Sequence, residues 1–308
     1  MDKKKVVFII GIGRSGSTML DCMIGSHPSA FSLGEVSKIA NFKKTPRKPW
    51  SSVSDFWETR FTPAEKERLY QAFSNARLRE AVPLKIEKIY RNFIGEGDIF
   101  SPYTFLHEKI GKPILIDSSK YHFFVSPRLE ADEFKSGALD VYVIHMVRDA
   151  RAVLNSYVRA YPDRTVDKIA RKWNANLSGA LAIYDRFPEN RRLEVRYEEL
   201  ATDPDGTLQR VCDLLGLDWR PEMKEFWRHE HHLIAGSLGV LAQINRYRGE
   251  QINQSVSAVH GSYYKDKPME IRLDTRWERE LAPEKLAEFY QLTNNRNRPY
   301  EWNPAEVS

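Results

Sequence analysis

The clearest chemistry lies near the amino end, in Val6-Val-Phe-Ile-Ile-Gly-Ile-Gly-Arg-Ser-Gly-Ser-Thr-Met-Leu20. A short apolar run leads into Gly11, Gly13 and Gly16 and then into a helix start. The glycines allow a tight turn, while Ser15, Gly16, Ser17 and Thr18 present amides and hydroxyls at the positive end of that helix. A loop of this kind binds phosphate or sulfate oxygens, and Arg14 supplies a cation within it. Glycine-rich strand-to-helix turns also occur for packing alone, but the density of Gly, Ser and Thr favours the anion site. Aligned on the loop of nucleotide triphosphatases, the chain matches at Gly11, Gly16 and Thr18 but has Ser17 where lysine is required. That argues against an ATPase or GTPase.

A second anion site is expected where Val141-Tyr-Val-Ile-His-Met-Val147 runs into Arg148-Asp-Ala-Arg-Ala-Val-Leu-Asn-Ser156. An arginine at a strand's carboxyl end, with a serine eight residues on and a helix starting between them, can place guanidinium and hydroxyl around one phosphate. The alternative is an Arg–Asp cluster that merely caps a helix at the surface.

Such sites need strands that end at them. The β-branched runs at 6–10, 114–116, 141–147 and 193–195 read as buried parallel strands. Between them lie helical patterns. Thr62-Pro-Ala-Glu65 has the form of a capping box, and Asp203-Pro204 opens a helix whose Leu208, Val211, Cys212 and Leu215 share a face before Gly216. The alternation implies an α/β fold, a central parallel sheet with helices on both faces. Residues 41–112 read as a mostly helical insertion that could cap an acceptor site, and 236–264 as a loop-rich lid. The whole of 1–308 is expected to form a single domain.

Taken together, these motifs resemble those of sulfotransferases that use 3′-phosphoadenosine 5′-phosphosulfate (PAPS), in particular the bacterial, carbohydrate and tyrosylprotein branches. Arg14-Ser-Gly-Ser-Thr18 is similar to their 5′-phosphosulfate loop, and Arg148 with Ser156 to their 3′-phosphate motif. Asp117-Ser-Ser-Lys120 and Arg196-Tyr-Glu-Glu-Leu200 add two further matches. The resemblance implies a P-loop-containing three-layer α/β/α fold and transfer of a sulfuryl group from PAPS to a hydroxyl or amine, with release of adenosine 3′,5′-bisphosphate (PAP). It implies that Arg14, Ser15, Gly16, Ser17 and Thr18 hold the phosphosulfate, that Arg148 and Ser156 hold the 3′-phosphate, and that Tyr197 packs on adenine. Lys120 would stand at the bridging oxygen, and Glu35, in Phe31-Ser-Leu-Gly-Glu35, would be the general base. A basic C-terminal loop is expected over the 3′-phosphate, but Lys265, Lys267 and Arg272 are scattered behind Gly261 and none is assigned.

The acceptor, whether small molecule, carbohydrate or peptide, is not encoded in any motif, nor is the oligomeric state. Trp50, Phe56, Trp57, Phe61, Tyr103 and Phe105 suit either a stacking surface or a core. Of 308 residues 47 are basic and 42 acidic, a formal net charge of +5 without a basic stripe, which opposes a nucleic-acid partner. No apolar stretch is long enough to span a membrane. With neither a signal-peptide core nor a membrane span a soluble cytoplasmic protein is expected, and the two cysteines, Cys22 and Cys212, exclude a disulfide framework. No metal site is expected: His229, His231 and His232 lack partner ligands at useful spacing, and His27 reads as closing the first helix. A small-molecule kinase on the same loop and a non-catalytic PAPS or PAP binder remain the competing readings.

Overall fold

A computed structural model describes residues 3–42, 51–74, 100–250 and 269–303. Its frame is a five-stranded, all-parallel sheet in the order β2-β3-β1-β4-β5. The strands are β1 (Lys5–Gly11), β2 (Ala30–Gly34), β3 (Ile114–Lys120), β4 (Asp140–Val147) and β5 (Arg192–Arg196). Side chains alternate across the sheet, so β1 feeds two cores at once. Val7 and Ile9 join Leu20, Ile24, Ile144, Leu208 and Leu215 on one face, while Val6, Phe8 and Ile10 join Leu106, Phe124 and Val143 on the other. Helices cover both faces, which is why the central strands are continuously apolar.

Two expected helix starts form as their sequences dictate. The Glu65 carboxylate accepts the Thr62 N–H at 2.8 Å and opens the helix Pro63–Ser74, and Asp203 accepts the Gly206 N–H at 2.9 Å at the head of Pro204–Leu215. Trp57, Phe61 and Tyr103 are buried and belong to the second core, with Trp57 and Phe61 stacked 5.1 Å apart. The described part of 41–112 holds the helices Ser51–Arg60, Pro63–Ser74 and Pro102–Ile110. Trp50, Gly261, Lys265 and Lys267 lie outside the described residues.

Three expectations change. Ala-Phe-Ser-Leu-Gly has no β-branched residue, yet it forms β2, held by its register against β3 (Ala30↔Ile114, Phe31↔Leu115). β3 runs on to Lys120 rather than ending at Ile116, because Asp117, Ser118 and Ser119 hydrogen-bond within the buried layer. The stretch from 236 is not all loop: Leu238–Tyr247 is a helix, with Ser237 accepting the Gly239 N–H at 3.3 Å and Val240, Leu241 and Ile244 buried. Three apolar contacts in ten residues were too short a period to stand out among Gln243, Asn245 and Arg246.

Candidate active site

β1 ends at the glycine-rich loop, where Arg14 adopts φ 75° and Gly16 φ 89°. Gly16 precedes the helix α1 (Ser17–Gly25), and a Cβ there would lie 2.8 Å from the Tyr197 ring, so only glycine fits. The first amides of α1 have no partner within the helix and face outward as anion donors. Ser15 is buried beneath them, its Oγ without a hydrogen-bond partner among the described residues. The Thr18 hydroxyl accepts the Ser237 N–H at 3.0 Å, which ties the loop to the helix Leu238–Tyr247.

Beside the loop, the ends of β2 and β3 bring a buried carboxylate against a buried lysine. Gly34 takes φ 70° with a neighbouring chain so close that a Cβ would meet the Ala235 carbonyl at 2.6 Å. The next residue, Glu35, donates its N–H to that carbonyl at 2.9 Å. Lys120 sits at φ 58°, in a tight turn where the Tyr121 N–H donates to the Ser119 carbonyl at 2.7 Å. Lys120 Nζ lies 2.7 Å from Glu35 Oε1, and Lys38 Nζ lies 2.5 Å from Oε2. Burial pushes the Glu35 carboxyl up, but Lys120 and Lys38 outweigh it and hold the group at about 2.

This pair rests on a layer of buried polar groups. Asp117 accepts from Tyr103 Oη at 2.6 Å and from Ser119 Oγ at 2.5 Å. Ser119 Oγ in turn accepts the Ser37 N–H at 3.0 Å. Asp21 accepts from Ser118 Oγ at 2.6 Å and from Ser32 Oγ. Burial raises both carboxyls, Asp21 to about 7.

At the other end of the loop, Arg148 follows β4 and precedes the helix Ala150–Ala160, which Asp149 caps. Its guanidinium lies 4.2 Å over the Tyr197 ring, with Nη1 donating to the Arg14 carbonyl at 3.0 Å and Nη2 to the Asp274 carbonyl at 3.2 Å. Its Nε is buried without a hydrogen-bond partner among the described residues. The Asp274 carboxylate lies 3.4 Å from Nη2 and takes two hydrogen bonds of 2.7 Å from Arg276. Burial pushes Asp274 up, and Arg276 and Arg148 reverse this, leaving it well below the usual carboxylate range. The Tyr197 hydroxyl donates to the Arg272 carbonyl at 2.9 Å, so the segment around 272–276 closes this end.

All of this surrounds one cavity of about 360 Å³. Arg14, Gly16, Ser17, Thr18, Glu35, Lys120, Arg148, Ser156 and Tyr197 line it, and Ser15 lies under its floor. Sequence reasoning missed Lys38, Arg164, Lys172, Arg246 and Arg276, and left Arg272 unassigned; all six line the cavity. Lys38 alone carried a signal, its spacing of three from Glu35; Lys172 and Arg246 stand on helices, Arg164 in the connection before Val166–Tyr184, and Arg272 and Arg276 in the C-terminal segment, none within a recognisable motif. Nine cationic side chains against Glu35, Glu270 and Asp274 make the cavity strongly attractive to anions. A wall of Tyr121, Tyr157 and Tyr161 faces the glycine-rich loop, with the Tyr157 and Tyr121 hydroxyls hydrogen-bonded and Arg164 4.4 Å over Tyr161. His27 does not line the cavity: it is buried, and its Nδ1 accepts the Ser29 N–H at 3.1 Å. Nor does the histidine cluster, whose His231 bonds the Phe226 carbonyl at 2.7 Å and whose His232 stacks on Phe56.

This chain is similar to known sulfotransferases. It is 24% identical to Protein-tyrosine sulfotransferase A of Caenorhabditis elegans over 220 residues, 69% of this chain and 50% of that protein. With Protein-tyrosine sulfotransferase 2 of Gallus gallus it shares 25% identity over 78% of this chain and 58% of that one. It thus spans about half the length of these relatives. In fold it is similar to the sulfotransferase domain of the Synechococcus PCC 7002 olefin synthase, with a TM-score of 0.53, 18% identity and 98% of each chain covered. The sequence profile of the Sulfotransferase family matches residues 6–221, which include the glycine-rich loop, Glu35, Lys120, Arg148 and Tyr197, and the chain therefore belongs to the Sulfotransferase family.

Proposed function

We propose that this protein transfers a sulfuryl group from PAPS to a hydroxyl or amine of an acceptor. The observation that carries the reading is the meeting of Glu35 and Lys120, 2.7 Å apart, beside a glycine-rich anion loop in a cavity that also contains Arg148. The residues suit PAPS: Ser15 Oγ, in the glycine-rich loop, and Arg148 Nε, beside it, are buried polar atoms with no hydrogen-bond partner among the described residues. In this reading Arg14 and the residues Ser15 to Thr18 hold the phosphosulfate, Arg148 and Ser156 hold the 3′-phosphate, and Tyr197 borders the adenine.

The chemistry asks for a base on one side of the sulfur and a cation on the other. Glu35 takes the proton as the acceptor oxygen or nitrogen bonds to sulfur. Lys120 stabilises the bridging oxygen, which keeps the electron pair of the breaking S–O bond and leaves as part of PAP. Arg14 steadies the charge on the transferred group, and positioning does much of the rest. Among the described residues no helix is long and apolar enough to cross a membrane. A cytoplasmic site of action belongs to the proposal, and the two buried, unpaired cysteines fit a reducing compartment.

Calorimetry with PAP and AMP tests the donor site. PAP should bind about 10–100-fold more tightly, the equivalent of one charge-assisted hydrogen bond to the 3′-phosphate; equal affinities would overturn the donor assignment. Incubation with labelled PAPS and a panel of alcohols, phenols, sugars and peptides then reads transfer itself. A protein that binds PAP but never passes label to any acceptor would be a binder rather than an enzyme.

A further inference from the structure

We propose that Lys38 is a positioning residue for the base, holding one oxygen of the Glu35 carboxylate so that it stays ionised and aimed while Lys120 attends the leaving oxygen. The proposal rests on the roles given to Glu35 and Lys120 above, and it follows from how the carboxylate is shared. Each oxygen has its own lysine, Oε1 at 2.7 Å from Lys120 and Oε2 at 2.5 Å from Lys38. Lys120 is asked to do two things. When its ammonium turns to the developing charge on the bridging oxygen, its hold on Oε1 weakens, and that oxygen becomes free to receive the acceptor's proton. A carboxylate only 6% exposed would then be driven toward the neutral acid by burial if it had no other cation.

Lys38 is placed to prevent this. It stands on a 3₁₀ segment, Val36–Phe42, whose Lys38 N–H donates to the Glu35 carbonyl at 2.9 Å. The Ser37 N–H donates to Ser119 Oγ at 3.0 Å, next to Lys120 in the chain. Both lysines are therefore carried on one hydrogen-bonded frame, yet their surroundings differ. Both line the cavity, but the Lys38 side chain is 45% exposed and that of Lys120 only 5%, so Lys38 can remain on Glu35 without losing its water while Lys120 is the buried partner. Among the described residues, two further titratable groups feel the Glu35 charge. Tyr121, just beyond β3, and Lys172, on the helix Val166–Tyr184, act on it by charge at longer range.

The test is a carboxyl carbon NMR titration of Glu35 in the full chain, with and without PAP, beside a pH–rate profile of sulfuryl transfer. In Lys38→Gln the Glu35 midpoint should rise by about one pH unit, with the larger rise when PAP is bound. The acid limb of kcat should move up with it, and Lys38→Arg should restore both curves. An unmoved midpoint in Lys38→Gln would overturn the proposal, as would an activity loss equal at every pH or a Lys38→Arg that fails to restore the titration. The titration needs no turnover, so a wild-type chain that transfers no sulfuryl group would count against the enzymatic reading while leaving Lys38 to be decided by NMR.

Discussion

The two ends of the cavity use the same ingredients in opposite ways. At the end of β2 and β3 a carboxylate stands at the centre and two lysines pair with it, with buried carboxyl groups behind them. At the end of β4 a guanidinium stands at the centre, and Asp274 from the C-terminal segment pairs with it. The first arrangement is built from neighbouring strands of one sheet, whose register sets the distances. The second borrows Asp274 and Arg276 from outside the sheet. Both central groups stand at strand ends; what differs is the source of their partners, neighbouring strands for Glu35 and a segment outside the sheet for Arg148.

Replacing the base should show the largest effect. Glu35→Gln keeps the shape but cannot take a proton, so transfer should fall by about 10²–10⁴-fold while PAP affinity changes little. A variant that kept normal turnover would remove the contrast between the two ends. Next comes Arg148→Ala, which should weaken PAP by about 10–100-fold and erase the preference over AMP. Calorimetry decides it, and surviving discrimination would move the 3′-phosphate site elsewhere in the cavity.

A smaller change is expected from Asp274→Asn. Removing the carboxylate takes away the anion that competes for Arg148 and Arg276, so PAP should bind several-fold more tightly. Weaker binding would show that Asp274 orients the guanidinium instead of competing for it.

The subtlest test sets the carboxyl groups of the two ends against each other through pH. The folded pKa of Asp21 is raised to about 7, so its contribution to stability is full below the ordinary aspartate value and is lost as pH rises through 7. Asp274 is depressed, so its contribution is present above the ordinary value and is lost as pH falls toward its folded pKa. Denaturation midpoints of Asp21→Asn should accordingly vary less than those of the wild type between about pH 4 and 7. Parallel curves would mean that Asp21 stays ionised in its serine cradle.

How much of this was legible in sequence follows from where each residue stands. Arg14 and Arg148 directly follow apolar runs, so the strand, the turn and the cation could be read in one line. Glu35 and Lys120 could not be paired that way, since 85 residues separate them and only the adjacency of β2 and β3 joins them. Their roles were readable through family resemblance alone. β2 itself escaped notice for lack of β-branched residues, and its strand character comes from pairing with β3. Lys172 and Arg276 lie on the helix Val166–Tyr184 and in the C-terminal segment, where one cation looks like any solvated surface charge. Their role depends on tertiary convergence that no local pattern records.

The hydrogen bond from Arg148 Nη1 to the Arg14 carbonyl joins the residues assigned to the two anion sites, and if both assignments hold it couples the sites. Arg14 holds a left-handed backbone, unusual for a side chain of its size, and the partner that steadies its carbonyl is the group assigned to the 3′-phosphate. Whatever the distal phosphate gains from an ordered loop, the proximal anion gains equally from a seated guanidinium, because such coupling is reciprocal. A ligand with both groups collects that shared free energy, and a ligand with one forfeits it. Two fragments supplied together should accordingly bind better than either supplied alone.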